Sequence, residues 1–159
     1  MLSHGIVSGT LFFCVGTLYE RYSVRSLKYY GGLAHFYPVL TRVFLIFSLA
    51  NISFPLTSSF IGEFYIFVGL FRQNFWATVF AATSIVLGAV YTLWSFNRIF
   101  FGNLSVLSIN TYTDLSRKEY ALYFIPIIFR LFIGILPHYF LDVFYLDCIN
   151  ILEHASLGR

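Results

Sequence analysis

Long apolar stretches separated by short polar connections dominate this chain of 159 residues. Hydrophobic residues make up 58% of the chain and charged residues only 11%, less than half of the charged share in typical soluble domains. In water such a chain would expose large apolar patches and aggregate, whereas in a bilayer the same surface faces lipid. The sequence therefore predicts an all-α integral membrane protein and excludes a soluble domain.

The apolar stretches are long enough to predict four transmembrane helices, of which the second is discontinuous. A helix needs about 20 apolar residues to cross a bilayer core of about 30 Å. The predicted spans, within a single membrane domain over 1–159, cover residues 3–19, 38–71, 74–101 and 120–139. A tail helix over 140–155 mixes apolar and acidic residues, and it is predicted to be amphipathic and to lie on the membrane surface.

The second span is too long for one straight helix, and it is interrupted near 54–57 at Pro55. Proline removes a backbone donor and clashes with the preceding turn. The hydroxyl residues 57–59 follow, and we expect them to cap a new helix start. We predict two half-helices, 38–54 and 58–71, broken at membrane depth. Discontinuous helices of this kind recur in transporters.

Lysine and arginine residues predict the orientation of the chain, because cytoplasmic-type loops are enriched in them. The connections 20–37 and 102–118 share one side of the membrane in a four-span arrangement. These loops hold Arg21, Arg25, Lys28, Arg117 and Lys118, and the opposite side holds Arg72 and Arg159. We predict that the two basic loops face the interior compartment and that the tail faces outward. The net charge of +3 is explained by these loops, so no nucleic-acid binding is predicted.

Glu63 is the first candidate functional residue, because it lies among apolar residues one turn into the second half-helix. A carboxylate within a membrane span is costly, so its presence favours proton or ion handling. One alternative is a helix-capping acid in a first turn. That alternative fits poorly, since Phe60 stands three residues earlier and no capping box can form. A structural salt bridge is a second alternative.

Two further ionisable residues lie in apolar stretches. His4 can take and release a proton near neutral pH, and the alternative role is a packed, hydrogen-bonded histidine near a helix end. For Arg130 we favour snorkelling or pairing with an acid on a neighbouring chain over a transport role, and contact with lipid phosphate is a third interpretation. Arg98, at a span end, is expected to be a solvated anchor.

The sequence contains no motif for soluble chemistry. There is no phosphate-binding loop, dinucleotide fingerprint or nucleophile elbow. Cys14 and Cys148 do not have metal-ligand spacing. We therefore predict neither a cofactor nor a metal site within this chain.

Four segments carry a family resemblance. They are SHGIVSGTLFFCVGTLYER, KYYGGL, LANISFPLTSSFIGEF and ATSIVLGAVYTLWSFNRIFFGN, in that order over residues 1–103. Together they resemble the subunit 4 family of mitochondrial NADH dehydrogenase, which are antiporter-like, proton-pumping subunits of respiratory complex I. Residues 104–159 match this family only in character, as a last span and a tail.

The resemblance implies that the chain corresponds to the C-terminal third of a subunit with roughly fourteen helices. Glu63 then matches the acid of the second broken helix, and His4 matches the histidine of the preceding helix. Both would transfer protons along an intramembrane path. The family usually has Pro-Gly at the break, whereas this chain has Pro55-Leu56, which implies a stiffer break.

The resemblance also implies partners and a location. The chain would be part of NADH:ubiquinone reductase in the mitochondrial inner membrane. NADH, FMN, iron–sulfur clusters and ubiquinone would be bound by other subunits, and no redox chemistry is expected in this chain itself. Its partners would be the N-terminal fragment of the same split subunit, neighbouring membrane-arm subunits, and lipids such as cardiolipin.

Two other functions share this helix pattern. One is a subunit of a multisubunit cation/proton antiporter, which would differ in its partners. The other is a structural membrane fragment without transport, for which Glu63 would be dispensable.

Overall fold

The structure is a computed structural model that describes residues 1–103 and 113–157. The described residues are helical throughout, apart from turns and short extended connections. The six α-helices are α1 (Leu2–Tyr22), α2 (Pro38–Asn51), α3 (Ser58–Gln73), α4 (Phe75–Phe100), α5 (Arg117–Ile135) and α6 (His138–Leu157). Two single 3₁₀ turns, Leu27–Tyr29 and Leu33–His35, lie between α1 and α2.

Among these described helices, α1 and α4 are each long and apolar enough to cross a membrane. Helices α5 and α6 pass the same test only when taken together, and they bend by 70° at the Pro137 junction. Helix α2 is a shorter apolar helix. The prediction of a helical membrane protein is therefore confirmed, whereas the number of spans and the role of α6 as a surface tail stay predictions.

The helix ends differ from the predicted boundaries by a few residues. Helix α1 continues past residue 19 to Tyr22. It ends there because Ser23 adopts a left-handed conformation, which commonly ends helices. Helix α2 ends at Asn51, three residues before the predicted end of the first half-helix. Within the predicted loop 102–118, residues 104–112 lie outside the described residues.

The buried core lies towards the end of the bundle where α1 and α4 finish and α2 begins. Its fully buried side chains come from α1, the connection before α2, and helices α2, α4 and α5, and they include Tyr37, Leu40, Phe47, Phe100 and Tyr123. Most apolar side chains of α4 and α6 remain exposed in the isolated chain. A large exposed apolar surface is what a membrane helix presents to lipid or to neighbouring helices.

A polar network at the same end of the bundle connects α1, α2 and the start of α5. One terminal nitrogen of Arg21 donates to the carboxylate of Glu119 (3.2 Å) and to the main-chain carbonyl of Asp114 (3.3 Å). The Asp114 carboxylate accepts from the N–H groups of Val39 (2.8 Å) and Leu40 (3.4 Å). These bonds satisfy N–H groups of the first turn of α2, which its own residues leave free. The predicted interior loops therefore meet at one end of the bundle.

Candidate functional site

The break between α2 and α3 begins with a regular helix stop. The N–H of Ser53 donates to the carbonyl of Ala50 (3.3 Å), and the N–H of Phe54 donates to the carbonyl of Leu49 (3.1 Å). Ser53 has a φ of 60°. This pair of bonds with a left-handed residue is the Schellman arrangement, which ends helices. It explains why α2 stops before residue 54.

The chain then turns at Pro55 and Leu56. The N–H of Thr57 donates to the carbonyl of Phe54 (3.1 Å), which closes a turn with Pro55 and Leu56 in its centre. Leu56 has a φ of 76°. A type II turn favours proline first and a residue with positive φ second, and glycine usually fills that second position. The Pro-Gly of the family matches this geometry, and Leu56 adopts it at a cost in strain.

Leu56→Gly is expected to stabilise the break by about 0.5–1 kcal/mol, because glycine has no Cβ to strain at positive φ but loses more freedom on folding. The Leu56 side chain is 66% exposed, so its removal costs little within the chain. The measurement is the temperature at which the chain is lost from its assembled complex. Leu56→Ala is the matched control, because it removes the side chain and keeps the strain. Equal stability of the two variants would contradict this account.

The hydroxyl groups at the start of α3 do not cap it as predicted. The Thr57 side chain makes no capping bond, and its hydroxyl donates back to the carbonyl of Phe54 (2.7 Å). The hydroxyls of Ser58 and Ser59 instead meet the hydroxyl of Ser3 on α1, at 2.6 and 2.8 Å. The three residues Ser3, Ser58 and Ser59, called here the serine cluster, therefore join the first turns of α1 and α3.

Beside the serine cluster, α1 and α3 enclose a small cavity that brings the two predicted proton-transfer residues together. The cavity has a volume of about 170 Å³ and is lined by both His4 and Glu63. Ser3, Ser59 and Asn51 also line it. His4 is exposed in the isolated chain and Glu63 is half-buried. Two ionisable groups therefore face one polar space of a few water volumes.

Glu63 also lines a second, larger cavity. This cavity, of about 430 Å³, lies between α3 and α4, and its polar lining includes Ser84, Tyr91 and Thr92. Asn51, at the end of α2, lines both cavities as Glu63 does. The acid thus stands between two spaces. In the part of the chain that the structure describes, Glu63 forms no ion pair.

Arg130 does not snorkel. It lies in α5 and is only 2% exposed. One terminal nitrogen donates to the carbonyl of Ala50 (2.6 Å) and to the hydroxyl of Ser59 (3.0 Å). Its Nε and its other terminal nitrogen are buried without a hydrogen-bond partner among the described residues. Snorkelling was therefore wrong, because the guanidinium turns to the Ala50 carbonyl and the Ser59 hydroxyl at the break. Pairing with an acid on a neighbouring chain stays a prediction. Arg98 is exposed, as expected of an anchor.

One helical turn after Arg130, Gly134 packs directly on the backbone of the break. A Cβ atom built on Gly134 would lie 2.2 Å from the carbonyl oxygen of Leu56 and 3.0 Å from the carbonyl carbon of Thr57. Residues i and i+4 share one helix face. One face of α5 therefore contacts the break at two points. The guanidinium of Arg130 makes the first contact, and the backbone of Gly134, which has no side chain, makes the second. Sequence reasoning missed this face.

These features together define an antiporter-like helical membrane protein, with apolar helices and a helix break beside an acid-lined cavity. The chain belongs to the NADH:quinone oxidoreductase/Mrp antiporter transmembrane family, whose match covers residues 1–88. The resemblance that the sequence motifs indicated is confirmed by this match.

Individual relatives extend the likeness over nearly the whole chain. It is 45% identical over 156 residues to NADH-ubiquinone oxidoreductase chain 4 of Marchantia polymorpha, covering 98% of this chain and 32% of that protein. It is 37% identical over 160 residues to NADH-quinone oxidoreductase subunit M of Rhodobacter capsulatus, covering 99% of this chain and 31% of that protein. The chain thus spans about a third of the length of these relatives.

A solved structure shows the same arrangement. A chain in the respiratory complex I of Thermus thermophilus with bound NADH superposes with a TM-score of 0.79 at 30% sequence identity. The match covers 87% of this chain and 29% of that chain. The likeness therefore includes the packing of the helices as well as their sequences.

Proposed function

We propose that this chain is part of a proton-translocating subunit of NADH:ubiquinone oxidoreductase and forms the terminal part of its intramembrane proton path. The observation that carries the proposal is the position of Glu63 between two cavities, beside a helix break and facing the space that His4 also lines. An acid within a membrane segment marks a proton or ion pathway by default. The family relationship supports the same conclusion.

The proposed step is a reversible proton transfer at the Glu63 carboxylate. Water in one cavity donates a proton to the carboxylate, and the neutral carboxyl later releases it to water in the other cavity. His4 lies on the smaller cavity, where its imidazole can accept or donate the same proton. Release towards the outward side completes the transfer. Each step moves one proton between groups that can both bind and release it.

Electron transfer and proton transfer take place in different subunits under this proposal. NADH, FMN, iron–sulfur clusters and ubiquinone are bound by other chains of the complex, and this chain carries out no redox chemistry. Quinone reduction changes charge and hydration along the membrane arm, and those changes drive the loading and release of Glu63. The chain is therefore part of an enzyme as a subunit only.

The proposed membrane arrangement has four spans in one domain over 1–159, in the mitochondrial inner membrane. Helices α1, α4 and α5 each form one span, and α2 with α3 forms the discontinuous second span. Helix α6 is an amphipathic tail on the membrane surface. The basic loops face the interior compartment, which is supported by the way the ends of α1 and α4 and the starts of α2 and α5 meet at one end of the bundle.

The proposed partners are a chain that carries the N-terminal part of the same split subunit, neighbouring membrane-arm subunits, and lipids such as cardiolipin. The relatives are about three times as long as this chain, which supports further helices that complete the subunit. The exposed apolar faces of α4 and α6 would be covered by such helices or by lipid. No nucleic acid is bound.

A multisubunit cation/proton antiporter is the second candidate, because the family description names the Mrp antiporter beside the quinone oxidoreductase. The two candidates predict different partners, so a mass-spectrometric inventory of whatever copurifies with this chain separates them. We expect flavin-binding and iron–sulfur subunits together with a chain that carries the missing helices. A complex without any redox subunit would contradict the proposed function, and an intact copy of the whole subunit in the same complex would contradict the split.

A further inference from the structure

We propose that Arg130 is a positioning residue that fixes the broken span, so that Glu63 is held beside the cavity it shares with His4. The inference rests on the proposed function for its consequence in proton transfer, but its geometry stands alone. A single guanidinium nitrogen connects α5 to the last turn of α2 and the first turn of α3, through Ala50 (2.6 Å) and Ser59 (3.0 Å).

The first contact satisfies a helix end inside the membrane. The last carbonyls of a helix have no partner within the helix and carry partial negative charge, which a cation stabilises. The Ala50 carbonyl is one of these last carbonyls, and the bond to it is charge-assisted and short. The same carbonyl also accepts the longer bond from the N–H of Ser53 (3.3 Å), and Arg130 binds the lone pair that this bond leaves free. Arg130 therefore acts as a cap for α2 that α5 supplies.

The second contact orients the serine cluster. Ser59 receives the guanidinium N–H, and its hydroxyl also meets that of Ser3. His4 directly follows Ser3 in the chain, and Glu63 lies one helical turn after Ser59 on the same face of α3. Both proton-transfer candidates thus stand next to a residue of the hydrogen-bonded network that begins at Arg130.

The chemistry of the side chain suits this role. A guanidinium has a rigid fork of donors, no acceptor, and keeps its charge in proteins. It can therefore hold the break without competing for the transferred proton. Two of its nitrogens are buried without a partner among the described residues. Burying a cation with two unpartnered nitrogens costs free energy. The two hydrogen bonds at the break offset part of that cost.

The test is disulfide trapping in the assembled complex. In a Cys148→Ser background, Ser3→Cys and Ser58→Cys introduce a pair whose side-chain oxygens lie 2.6 Å apart in the native chain, within the reach of a disulfide. We expect rapid cross-linking with Arg130 present and about tenfold slower cross-linking with Arg130→Met, because both of its hydrogen bonds to the break are then lost. Arg130→Lys, which keeps the charge but not the planar fork of donors, is expected to restore part of the rate.

Arg72→Met is the matched control, because it makes the same arginine-to-methionine change at an exposed position on the helix that carries Glu63. It is expected to leave the rate unchanged. An unchanged rate with Arg130→Met would overturn the positioning role. If Arg130→Met fails to assemble, Ser59→Ala replaces it and is expected to slow cross-linking about threefold, because the contact to Ala50 remains. An unchanged rate with Ser59→Ala would then overturn the role.

A second readout connects position to function. In complexes that assemble, Arg130→Met is expected to lower the protons pumped per NADH oxidised, and Ser59→Ala added to it should lower the ratio little further, because both act through one contact. Full additivity of the two losses would contradict the inference. Normal pumping by Glu63→Gln refutes the proposed function instead and leaves the cross-linking result to decide the role of Arg130.

Discussion

Gly134→Ala is expected to prevent stable assembly of this chain. The added methyl group would lie 2.2 Å from the carbonyl oxygen of Leu56, and that oxygen belongs to backbone that cannot rotate away as a side chain can. Overpacking of a well-packed site costs about 1–3 kcal/mol and occasionally more, and a contact with fixed backbone is at the upper end. We expect a loss of at least about 3 kcal/mol, measured as the amount of chain retained in the complex after mild heating.

Gly69→Ala is the matched control. Gly69 lies inside α3 with no atom within 4 Å of an added Cβ, so the same substitution meets open space there. Alanine favours the helix over glycine by about 1 kcal/mol, and the expected effect is neutral or slightly stabilising. If Gly134→Ala also assembled normally, α5 would not pack on the break as described.

The location of the break followed from the sequence, because proline constrains the backbone locally. Pro55 within a long apolar stretch predicts an interruption wherever the rest of the chain goes. The exact end of α2 did not follow. It depends on Ser53, which adopts a left-handed conformation that neither its residue type nor its neighbours predict.

The residues of the candidate site were predictable from the sequence, but their arrangement was not. Glu63 and His4 stand out because ionisable groups are rare within apolar stretches, although no local pattern places them on one cavity. Arg130 stands out equally, yet its acceptors lie 71 and 80 residues earlier in the chain. Gly134 gave no signal at all, since glycine is common in membrane helices. Contacts between distant segments decide both roles, and periodicity within one helix does not report them.

Glu63→Gln is expected to assemble normally and to lose coupled proton pumping by at least about tenfold, a conservative bound since one positioned proton-transfer group typically contributes about 10²–10⁴-fold. The amide keeps the shape and hydrogen-bonding capacity of the carboxyl but cannot carry the proton. Glu63→Ala is expected to add an assembly defect, because it also removes the side chain from between the two cavities. Glu20→Gln, at the exposed end of α1, controls for the loss of one negative charge.

If Glu63 carries protons, its replacement must change the number of protons pumped per NADH oxidised or the coupled rate of NADH oxidation. The ratio is measured in sealed proteoliposomes that contain the fully assembled Glu63→Gln complex, with the Glu20→Gln complex alongside. We expect the Glu63→Gln complex to show a ratio or a coupled rate of NADH oxidation far below that of the Glu20→Gln complex. A normal ratio at a normal rate in the assembled Glu63→Gln complex would contradict this expectation, and Glu63 would then be a structural acid.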